Sequence, residues 1–540
     1  MVSPARWEWW LRCWLGITLV TVGMSWSLHV VSFNHVKEGA LWLGCVGMML
    51  AVAAGPSGAL SGFRVWMPAW CSLAVLGLIS VLRAEVPWLA VESILRAAGL
   101  LAVASMAYRM GQGESGRQMI GGTIVGTAVL TAIFALGQRA GLLGALFPSF
   151  PHYDQTMYSV FGNSGLLGGY LALGLVLLPG LSRSCAHFRG AALMSLFAGS
   201  VMALALLYSA SRGAQLALAI GLCVYLARSR GRVGFPSGRS LAVVALAGTL
   251  LLVAGAPSLS KWAALFQPGD VGGAVRGWIW QASGSLFLER PFLGVGMGNF
   301  SYGLPPHLGR PVEAVPEGAT VYHAHLDLLE MVCEVGVLGV VLVVLQLRAF
   351  RFANTMATAG LVTLAVFSCF HPMWASAPHG MAFLLLLGMN LKTTVNVYTT
   401  RFAEWPERSL RVGAAAVLIG CAMLYYVTTL QPSFLLRRAE DRHLAGVSAK
   451  ASYEAAVAGL GFRGEAWESF GIYQLEQGDL EAAWGAFQMA RRELNTGRLY
   501  LLMGKTAQQL GRREVARRCF QQSEARGGMI GAIESGGPAD

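Results

Sequence analysis

Continuous apolar segments, each about as long as a bilayer is thick, recur along the first 430 residues. Each has close to the roughly 20 residues that a helix needs to cross the hydrocarbon core, and we count about thirteen of them. Their approximate limits are 13–33, 39–55, 66–82, 86–108, 118–137, 161–181, 190–209, 211–227, 240–256, 332–347, 357–374, 378–392 and 410–430. Apolar and polar residues do not alternate in them, so they predict helices and not barrel strands. The sequence therefore predicts an all-α, polytopic helical bundle in a membrane.

Composition supports a membrane protein and argues against other classes. Charged residues make up 13% of the chain, whereas a soluble protein carries about 25%. The net charge of +12 comes from lysines and arginines in short loops between spans, so it indicates topology and no nucleic-acid partner. The first apolar run lacks a small-residue cleavage site and is interpreted as a span, not a signal peptide. None of the nine cysteines forms a C-x-x-C pair, so neither a zinc site nor a disulfide framework is expected.

Basic residues follow every even-numbered span. They are Arg64, Arg109, Arg117, Arg183, Arg189, Arg239, Arg348, Arg351, Lys392, Arg401, Arg408 and Arg411. Loops rich in lysine and arginine stay in the cytoplasm. We therefore expect a cytoplasmic N-terminus, with the segments 138–160, 209–215 and 257–331 and everything after Leu430 on the other side.

The segment 434–526 is polar, rich in alanine and helical in pattern, unlike the transmembrane domain predicted for 1–430. Within it, residues 478–490 recur loosely at 511–523 with an offset of about 33 residues, close to the tetratricopeptide period. The matched positions are Gly478 and Gly511, Ala483 and Ala516, and Phe487 and Phe520. We expect closely packed helical hairpins outside the membrane, suited to a protein partner, and a disordered tail at 527–540.

Five arginines occupy loops on the side that the charge pattern disfavours for them: Arg139, Arg212, Arg276, Arg290 and Arg310. Arg212 is the sharpest case, because its loop is only a few residues long and must lie at the membrane surface. A guanidinium there suits a phosphate or diphosphate through paired hydrogen bonds. The alternative is an interfacial anchor that contacts membrane lipids. We favour anion binding for Arg212 and Arg276 and retain Arg290 as a further substrate-binding candidate.

The segment "HAHLDLLE" puts titratable side chains directly before an apolar run. His325 falls at or just before the first turn of the predicted helix, where the helix dipole keeps an imidazole neutral near pH 7. A neutral imidazole can take a proton from a hydroxyl, so we interpret His325 as a general base and His323 as its partner. Asp327, Glu330 and Glu334 line one helical face and are interpreted as substrate-binding residues, although acids also simply favour a helix N-terminus.

Two alternatives to the general base stay open for this segment. A His-x-His-x-Asp pattern also occurs in metallohydrolases. Here, however, Leu328 stands in place of a further histidine, the segment continues into a span, and the loops on that side hold no second ligand cluster. No metal or other cofactor is therefore expected. A purely structural histidine is the second alternative. Further along, Gly336 and Gly339 have the spacing for close helix packing.

Other titratable residues lie within or between the predicted spans. Glu92 and Arg96 are four residues apart on one span, and we favour a structural ion pair over a role in a cavity. His371 and His379 flank the connection between the eleventh and twelfth spans. They are candidates for the cavity that would contain His325.

Three segments resemble motifs of the O-antigen ligase/polymerase superfamily of integral membrane glycosyltransferases. "SASRGAQLAL" is similar to that family's Ser-Arg-Gly turn before a span, and "RGWIWQASGSLFLERPFLGVGMGNF" (276–300) to its Arg, Trp and Pro-x-x-Gly-x-Gly stretch. "HAHLDLLEMVCEVGVLG" (323–339) is similar to its His-Asn-x-x-Leu-Gln and Glu-x-Gly-x-x-Gly signature, with Leu326 in place of asparagine and Glu330 in place of glutamine. The resemblance extends approximately over residues 40–395.

The resemblance implies a GT-C-like fold and a metal-independent, inverting transfer of a glycan from undecaprenyl diphosphate to an acceptor hydroxyl, on the periplasmic face of the bacterial inner membrane. It implies that Arg212 and Arg276 bind the diphosphate and that His325 activates the acceptor. The acceptor is a glycolipid in a ligase, a growing polysaccharide in a polymerase, or a protein in an O-oligosaccharyltransferase, and the residues do not distinguish these. A lipid-linked sugar flippase and a non-catalytic scaffold are the remaining alternatives. Polar residues gathered in one large loop, and not at the midplane, disfavour the flippase.

Overall fold

The structure, a computed structural model, describes residues 4–27, 29–30, 32–55, 60–142, 157–184, 190–229, 271–309, 320–348, 350–391, 407–459 and 463–528. Every regular element in these ranges is a helix, so the expectation of an all-α bundle is confirmed. Seven of the described helices are long and apolar enough to cross a membrane, and three shorter apolar helices accompany them. The chain is therefore a multi-pass membrane protein.

Twelve helices longer than ten residues lie between residues 4 and 391 in the described part of the chain. They are α1 (Pro4–Met24), α2 (Phe33–Ala53), α3 (Met67–Arg83), α4 (Pro87–Gln112), α5 (Glu114–Arg139), α6 (Ser164–Ser184), α7 (Ala191–Ser209), α8 (Arg212–Arg228), α9 (Val271–Glu289), α10 (Asp327–Leu347), α11 (Thr355–Phe367) and α12 (Ala377–Gly388). All but α9 occupy predicted spans, and α9 lies inside the predicted 257–331 loop. The predicted span at 240–256 lies outside the described residues.

The first helix ends earlier than the hydropathy pattern indicates. The predicted span runs over 13–33, whereas α1 ends at Met24. Lys37 on α2 is fully buried, and its Nζ donates to the carbonyls of Gly23 and Ser25 at 2.9 Å each. A cation that satisfies the last carbonyls stabilises the end of a helix. The sequence pattern missed this end because it records apolar length and not the cap.

Close packing fixes the turn between α7 and α8. A Cβ atom at Gly168 on α6 would lie 3.0 Å from side-chain atoms of Ser209 and Ser211, so α6 presses directly on this turn. A Cβ at Gly213 would lie 2.7 Å from Phe370, so the first turn of α8 packs on the segment between α11 and α12. Only a hydrogen atom fits at these two positions, so any side chain there would push α8 outward.

One unbroken helical path leads from the membrane into the C-terminal region. Helix α13 (Glu407–Tyr425) continues through a single π-helical turn (Tyr426–Leu430) into α14 (Gln431–Leu444). The hydroxyl of Tyr425 donates to the carbonyl of His35 at 2.9 Å and ties this path to α2. The predicted boundary at 430 therefore falls within a continuous helix, and no loop separates the two predicted domains there.

The described part of the C-terminal region consists of helical hairpins, the first of which begins with α14. The paired helices are α14 with α15 (Lys450–Val457), α16 (Arg463–Glu476) with α17 (Leu480–Ala490), and α18 (Gly497–Gln509) with α19 (Arg513–Ala525). Gly471 and Gly504 lie directly under the rings of Phe487 and Phe520, where a Cβ would come within 2.5 Å of each ring. Both contacts recur at the offset found in the sequence, so the repeat is a repeat of hairpin packing. Beyond α19, Gly527 packs on Trp278, and residues 529–540 lie outside the described residues.

Candidate active site

Helix α10 is broken near its middle, and a loop fills the break. Gly336 has φ of +63° and ψ of −172°, which interrupts the helix between Val335 and Val337. The carbonyls of Cys333 and Glu334 accept hydrogen bonds from the amides of Val295 (3.0 Å) and Gly296 (2.8 Å). On the other side of the break, the amides of Val337 and Leu338 donate to the carbonyls of Pro291 (2.9 Å) and Phe292 (3.2 Å). Four backbone groups that the break would leave unsatisfied are thus paired.

Glycines in both segments make this contact sterically feasible. A Cβ at Gly336 would lie 2.3 Å from the carbonyl carbon and oxygen of Phe292, and a Cβ at Gly294 would lie 2.3 Å from those of Glu334. The two motifs quoted from the sequence, Pro-x-x-Gly-x-Gly and Glu-x-Gly-x-x-Gly, are therefore contact partners. The interpretation of Gly336 as a helix-packing residue is wrong, because it is the residue that permits the break.

The break and its loop support the turn that carries His325. Oε2 of Glu330 accepts a hydrogen bond from the Ala324 amide at 2.8 Å, and Oε1 of Glu330 is 2.9 Å from Nδ1 of His323. The indole Nε1 of Trp280, on α9, donates to the carbonyl of Ala324 at 2.9 Å. Both backbone groups of Ala324 are thus held by side chains, and the backbone conformation of the next residue, His325, is fixed with φ of +53°.

The imidazole of His325 is neutral near pH 7. Partial burial lowers its pKa below the usual 6.5, and electrostatic interactions with Arg276 and His323 lower it further, against an opposing effect of Glu330. Its Nδ1 atom is buried and has no hydrogen-bond partner among the described residues. A neutral ring beside a guanidinium can accept a proton from a bound hydroxyl. The expected position of His325 just before the first turn of α10 agrees with the structure.

Arg212 and Arg276 lie on the same side of the structure as His325. Arg212 is the first residue of α8, and a guanidinium nitrogen of Arg212 would lie 3.6 Å from a Cβ at Gly272, one helical turn before Arg276 on α9. Arg276 acts electrostatically on both His325 and His371. Nε2 of His371 is 3.3 Å from Oγ of Ser211, the N-cap of α8. These contacts bring the two arginines and the two histidines into one cluster.

The segment between α11 and α12 joins this cluster together. The carbonyl of Ser368 accepts a hydrogen bond from the Asp327 amide at 3.0 Å. Oδ2 of Asp327 accepts a hydrogen bond from the Met373 amide at 2.9 Å. His371 lies between these two contacts, stacked on Phe367 with ring centroids 4.8 Å apart. Burial lowers the pKa of His371 to about 3, and Arg276 and His325 contribute to this shift. The ring is therefore neutral and can only exchange hydrogen bonds.

The other sequence candidates have different surroundings. Arg290 forms an ion pair with Glu85 at 2.8 Å. Arg139 lies over the ring of Tyr208 at 4.4 Å. Arg310 lies outside the described residues. Glu334 accepts from the Phe300 amide at 3.4 Å, and His379 is fully buried with its Nδ1 2.8 Å from Ser376 Oγ.

The predicted ion pair on α4 is larger in the structure. Arg96 contacts Glu92 at 3.2 Å and also forms a short hydrogen bond with Glu38 on α2. Glu38 is fully buried, and its second carboxylate oxygen has no hydrogen-bond partner among the described residues. Sequence reasoning missed Glu38, although an acid inside an apolar segment is a signal for such a partner. In the part of the chain that is described, no group of three or more His, Cys, Asp or Glu is arranged to hold a metal ion.

The fold and the cluster define a polytopic membrane protein that presents arginines and a neutral histidine beside one short turn. Residues 197–344 match the family model described as O-Antigen ligase. This match confirms the resemblance to the O-antigen ligase superfamily over that range. The matched range contains Arg212, Arg276, His325 and both contacting glycine motifs, and it ends before the C-terminal helices. None of the curated proteins matches the chain.

Proposed function

We propose that the protein transfers a glycan from undecaprenyl diphosphate to an acceptor hydroxyl on the periplasmic face of a bacterial inner membrane, as an O-antigen ligase or a polysaccharide polymerase. The observation that carries the proposal is the joining of Arg212, Arg276 and His325 in one cluster, within a domain of the O-antigen ligase family. Two cations suit a diphosphate, and a neutral imidazole suits a hydroxyl.

The arginines act on the leaving group. Arg212 stands at the N-terminus of α8, where the helix dipole adds positive potential to its own charge. As the bond between the anomeric carbon and the diphosphate oxygen breaks, that oxygen takes the bonding electron pair. Arg212 and Arg276 stabilise the negative charge that it gains.

His325 acts on the acceptor. The acceptor oxygen forms its bond to the anomeric carbon while His325 takes the hydroxyl proton, and a single displacement of this kind inverts the anomeric configuration. Before the donor binds, burial and the positive charge of Arg276 both disfavour the imidazolium product, because they lower the pKa of His325. A bound diphosphate offsets that positive charge, so His325 becomes a stronger base once the donor is present. The order of events favours donor before acceptor.

The charge pattern of the sequence supports the proposed side of the membrane. Because consecutive spans alternate in direction, the basic loops predicted from the sequence fall on one side, and the Arg212 turn, the segment of α9 and the His325 turn fall on the other. We propose that the N-terminus is cytoplasmic and the C-terminal hairpins are periplasmic. Transfer then takes place where lipid-linked glycans are presented to acceptors.

Reconstitution of the full chain in proteoliposomes tests this function. The vesicles contain an undecaprenyl-diphosphate-linked oligosaccharide and a candidate glycolipid, polysaccharide or peptide acceptor. We expect a new glycosidic bond and release of undecaprenyl diphosphate without added metal. The length of the product distinguishes a ligase, which transfers a preformed glycan, from a polymerase, which extends it. Movement of the lipid-linked sugar across the bilayer with no new bond would instead establish a flippase.

A further inference from the structure

A cavity of about 670 Å³ lies between the membrane helices and the C-terminal hairpins, and the mechanism above does not use it. Helices α2 and α4 form one wall, large-loop residues between 297 and 302 and between 320 and 323 form the second, and Glu465 with residues 493–496 forms the third. His323 and Glu330 line this cavity, whereas His325 does not. The cavity therefore reaches the turn of the candidate base through His323 and through Glu330, which bonds the Ala324 amide. Its volume is in the range of ligand pockets.

The charges of this cavity exclude the donor diphosphate. Glu92, Glu330, Glu334, Glu465 and Glu493 all line it. Arg96 is the one arginine or lysine among the described lining residues, and it is bonded to Glu38 and Glu92. Because the one arginine of the cavity is already paired with acids, the cavity attracts a diphosphate less than Arg212 and Arg276 do, and neither of those lines it. The two sides of the His323 to His325 turn thus have opposite electrostatic character.

The remaining lining groups suit a hydroxyl-rich ligand. Trp88, Tyr302, Tyr322 and Trp374 supply aromatic surface, against which the C–H faces of sugar rings can pack. Nε1 of Trp88 is a buried donor without a hydrogen-bond partner among the described residues, and Oδ1 of Asn34 is a buried acceptor in the same condition. Both groups belong to residues that line the cavity.

The C-terminal wall is firmly held in place. Nδ2 of Asn495 donates to the carbonyl of Tyr302 at 3.3 Å, and the Gly309 amide donates to the carbonyl of Ala525 at 3.2 Å. Glu465 lies close enough to Glu92, across the cavity, for the two carboxylates to repel each other. Burial is the main reason that the pKa of Glu465 is raised to about 7, and Glu92 and Glu493 add to it. Hydroxyl donors between the two carboxylates would relieve that repulsion.

We propose that this cavity is the acceptor subsite, that it binds a saccharide, and that Glu465 of the C-terminal hairpins is one of its specificity-determining residues. The proposal rests on the transferase function proposed above. The saccharide lies against His323 and Glu330, and its reacting hydroxyl extends past the cavity to His325 on the same turn, where the arginines hold the donor. The C-terminal region is then part of the acceptor site and not only a docking module for another protein.

Binding to the purified full chain tests the proposal without requiring turnover. The probes are a panel of neutral and amino tetrasaccharides, geranyl diphosphate as a donor headgroup, and a serine- and threonine-rich peptide, each measured by native mass spectrometry. We expect at least one tetrasaccharide to bind. Glu465→Leu should weaken it about tenfold or more, through loss of a charge-assisted hydrogen bond, and Tyr322→Leu should weaken it through loss of aromatic contact. Geranyl diphosphate should bind both variants as it binds the wild type.

Glu481→Leu is the matched control, because Glu481 is an exposed acid on α17 that pairs with Arg512 away from the cavity. It should leave every affinity unchanged. The proposal is overturned if no tetrasaccharide binds, if Glu465→Leu and Tyr322→Leu bind the saccharide like the wild type, or if the peptide is the probe that depends on Glu465. If saccharide binding depends on Glu465 but reconstituted vesicles show no transfer, the cavity assignment stands and the transferase assignment fails.

Discussion

The backbone at His325 occupies a left-handed conformation that costs a non-glycine residue on the order of 1 kcal/mol. Surrounding contacts offset that cost. Trp280 and Glu330 hold the backbone of Ala324. The amide and the carboxylate of Asp327 are both hydrogen-bonded to the segment before α12. Three separate side chains hold this conformation. The position of the imidazole ring is therefore more tightly defined than its own rotamer preferences would make it.

Removal of Arg276 should change the pH dependence of transfer. Because the guanidinium lowers the pKa of His325, Arg276→Gln raises that pKa toward 6.5. A general base must be deprotonated, so the acidic limb of kcat/KM moves to higher pH in the variant, together with a lower rate. Arg290→Gln is the control, since Arg290 pairs with Glu85, and it should leave the limb in place. If the acidic limb lies at the same pH in the wild type and in Arg276→Gln, the group that titrates there is not His325.

The roles of individual acids were only partly predictable. Sequence periodicity places Asp327, Glu330 and Glu334 on one helical face, and all three line the cavity. Their bonding partners nevertheless differ: Asp327 bonds the Met373 amide, Glu330 the Ala324 amide and Glu334 the Phe300 amide. Those amides belong to three segments whose approach depends on tertiary packing, which no local pattern records.

At the level of elements, the break in α10 is the feature on which the site depends. The sequence predicted a span there because apolar length is a local property. It did not predict the break, because two glycines three residues apart fit close helix packing as well as an interruption. Only the loop at Pro291 to Gly296, brought back from the end of α9, distinguishes the two.

Gly336→Ala should disrupt this junction. Its backbone conformation is one that only glycine adopts readily, and the new Cβ would lie 2.3 Å from the backbone of Phe292. We expect a loss of about 2 kcal/mol or more in stability, seen as a lower thermal midpoint in detergent, and a loss of transfer. Gly284→Ala on α9 is the control, since nothing lies within 4 Å of its Cβ and alanine favours a helix. Equal midpoints for the two variants would contradict the role given to the break.

At the level of the whole molecule, the C-terminal hairpins pack against the large loop and enclose the cavity. The 33-residue offset in the sequence predicted helical hairpins. The offset arises because Phe487 and Phe520 each pack on a glycine of the paired helix. It could not predict where they dock, because that depends on single contacts such as Asn495 with Tyr302. The continuous α13 to α14 helix removes the flexible linker that would let the hairpins move independently.

The burial of Glu465 should make stability depend on pH. Its folded-state pKa is raised to about 7, above the usual 4.5, so the folded protein binds the proton more tightly than the unfolded chain. Its contribution to the free energy of unfolding therefore falls as pH rises from about 4.5 to 7 and is constant above that range. Glu465→Gln should raise the thermal midpoint at pH 8 and have little effect at pH 4.5. An equal shift at both pH values would show that Glu465 is not titrating in this way.

The central claim is that His325 takes the acceptor proton while the arginines hold the donor. Single-turnover transfer from lipid-linked oligosaccharide, measured with donor binding on the same preparations, tests it most directly. His325→Ala should slow transfer by a factor on the order of 10² to 10⁴ while donor affinity stays within a few-fold of wild type. His29→Ala, at an exposed histidine between α1 and α2, should match the wild type. Transfer by His325→Ala within tenfold of the wild-type rate, with donor binding intact, would contradict the account.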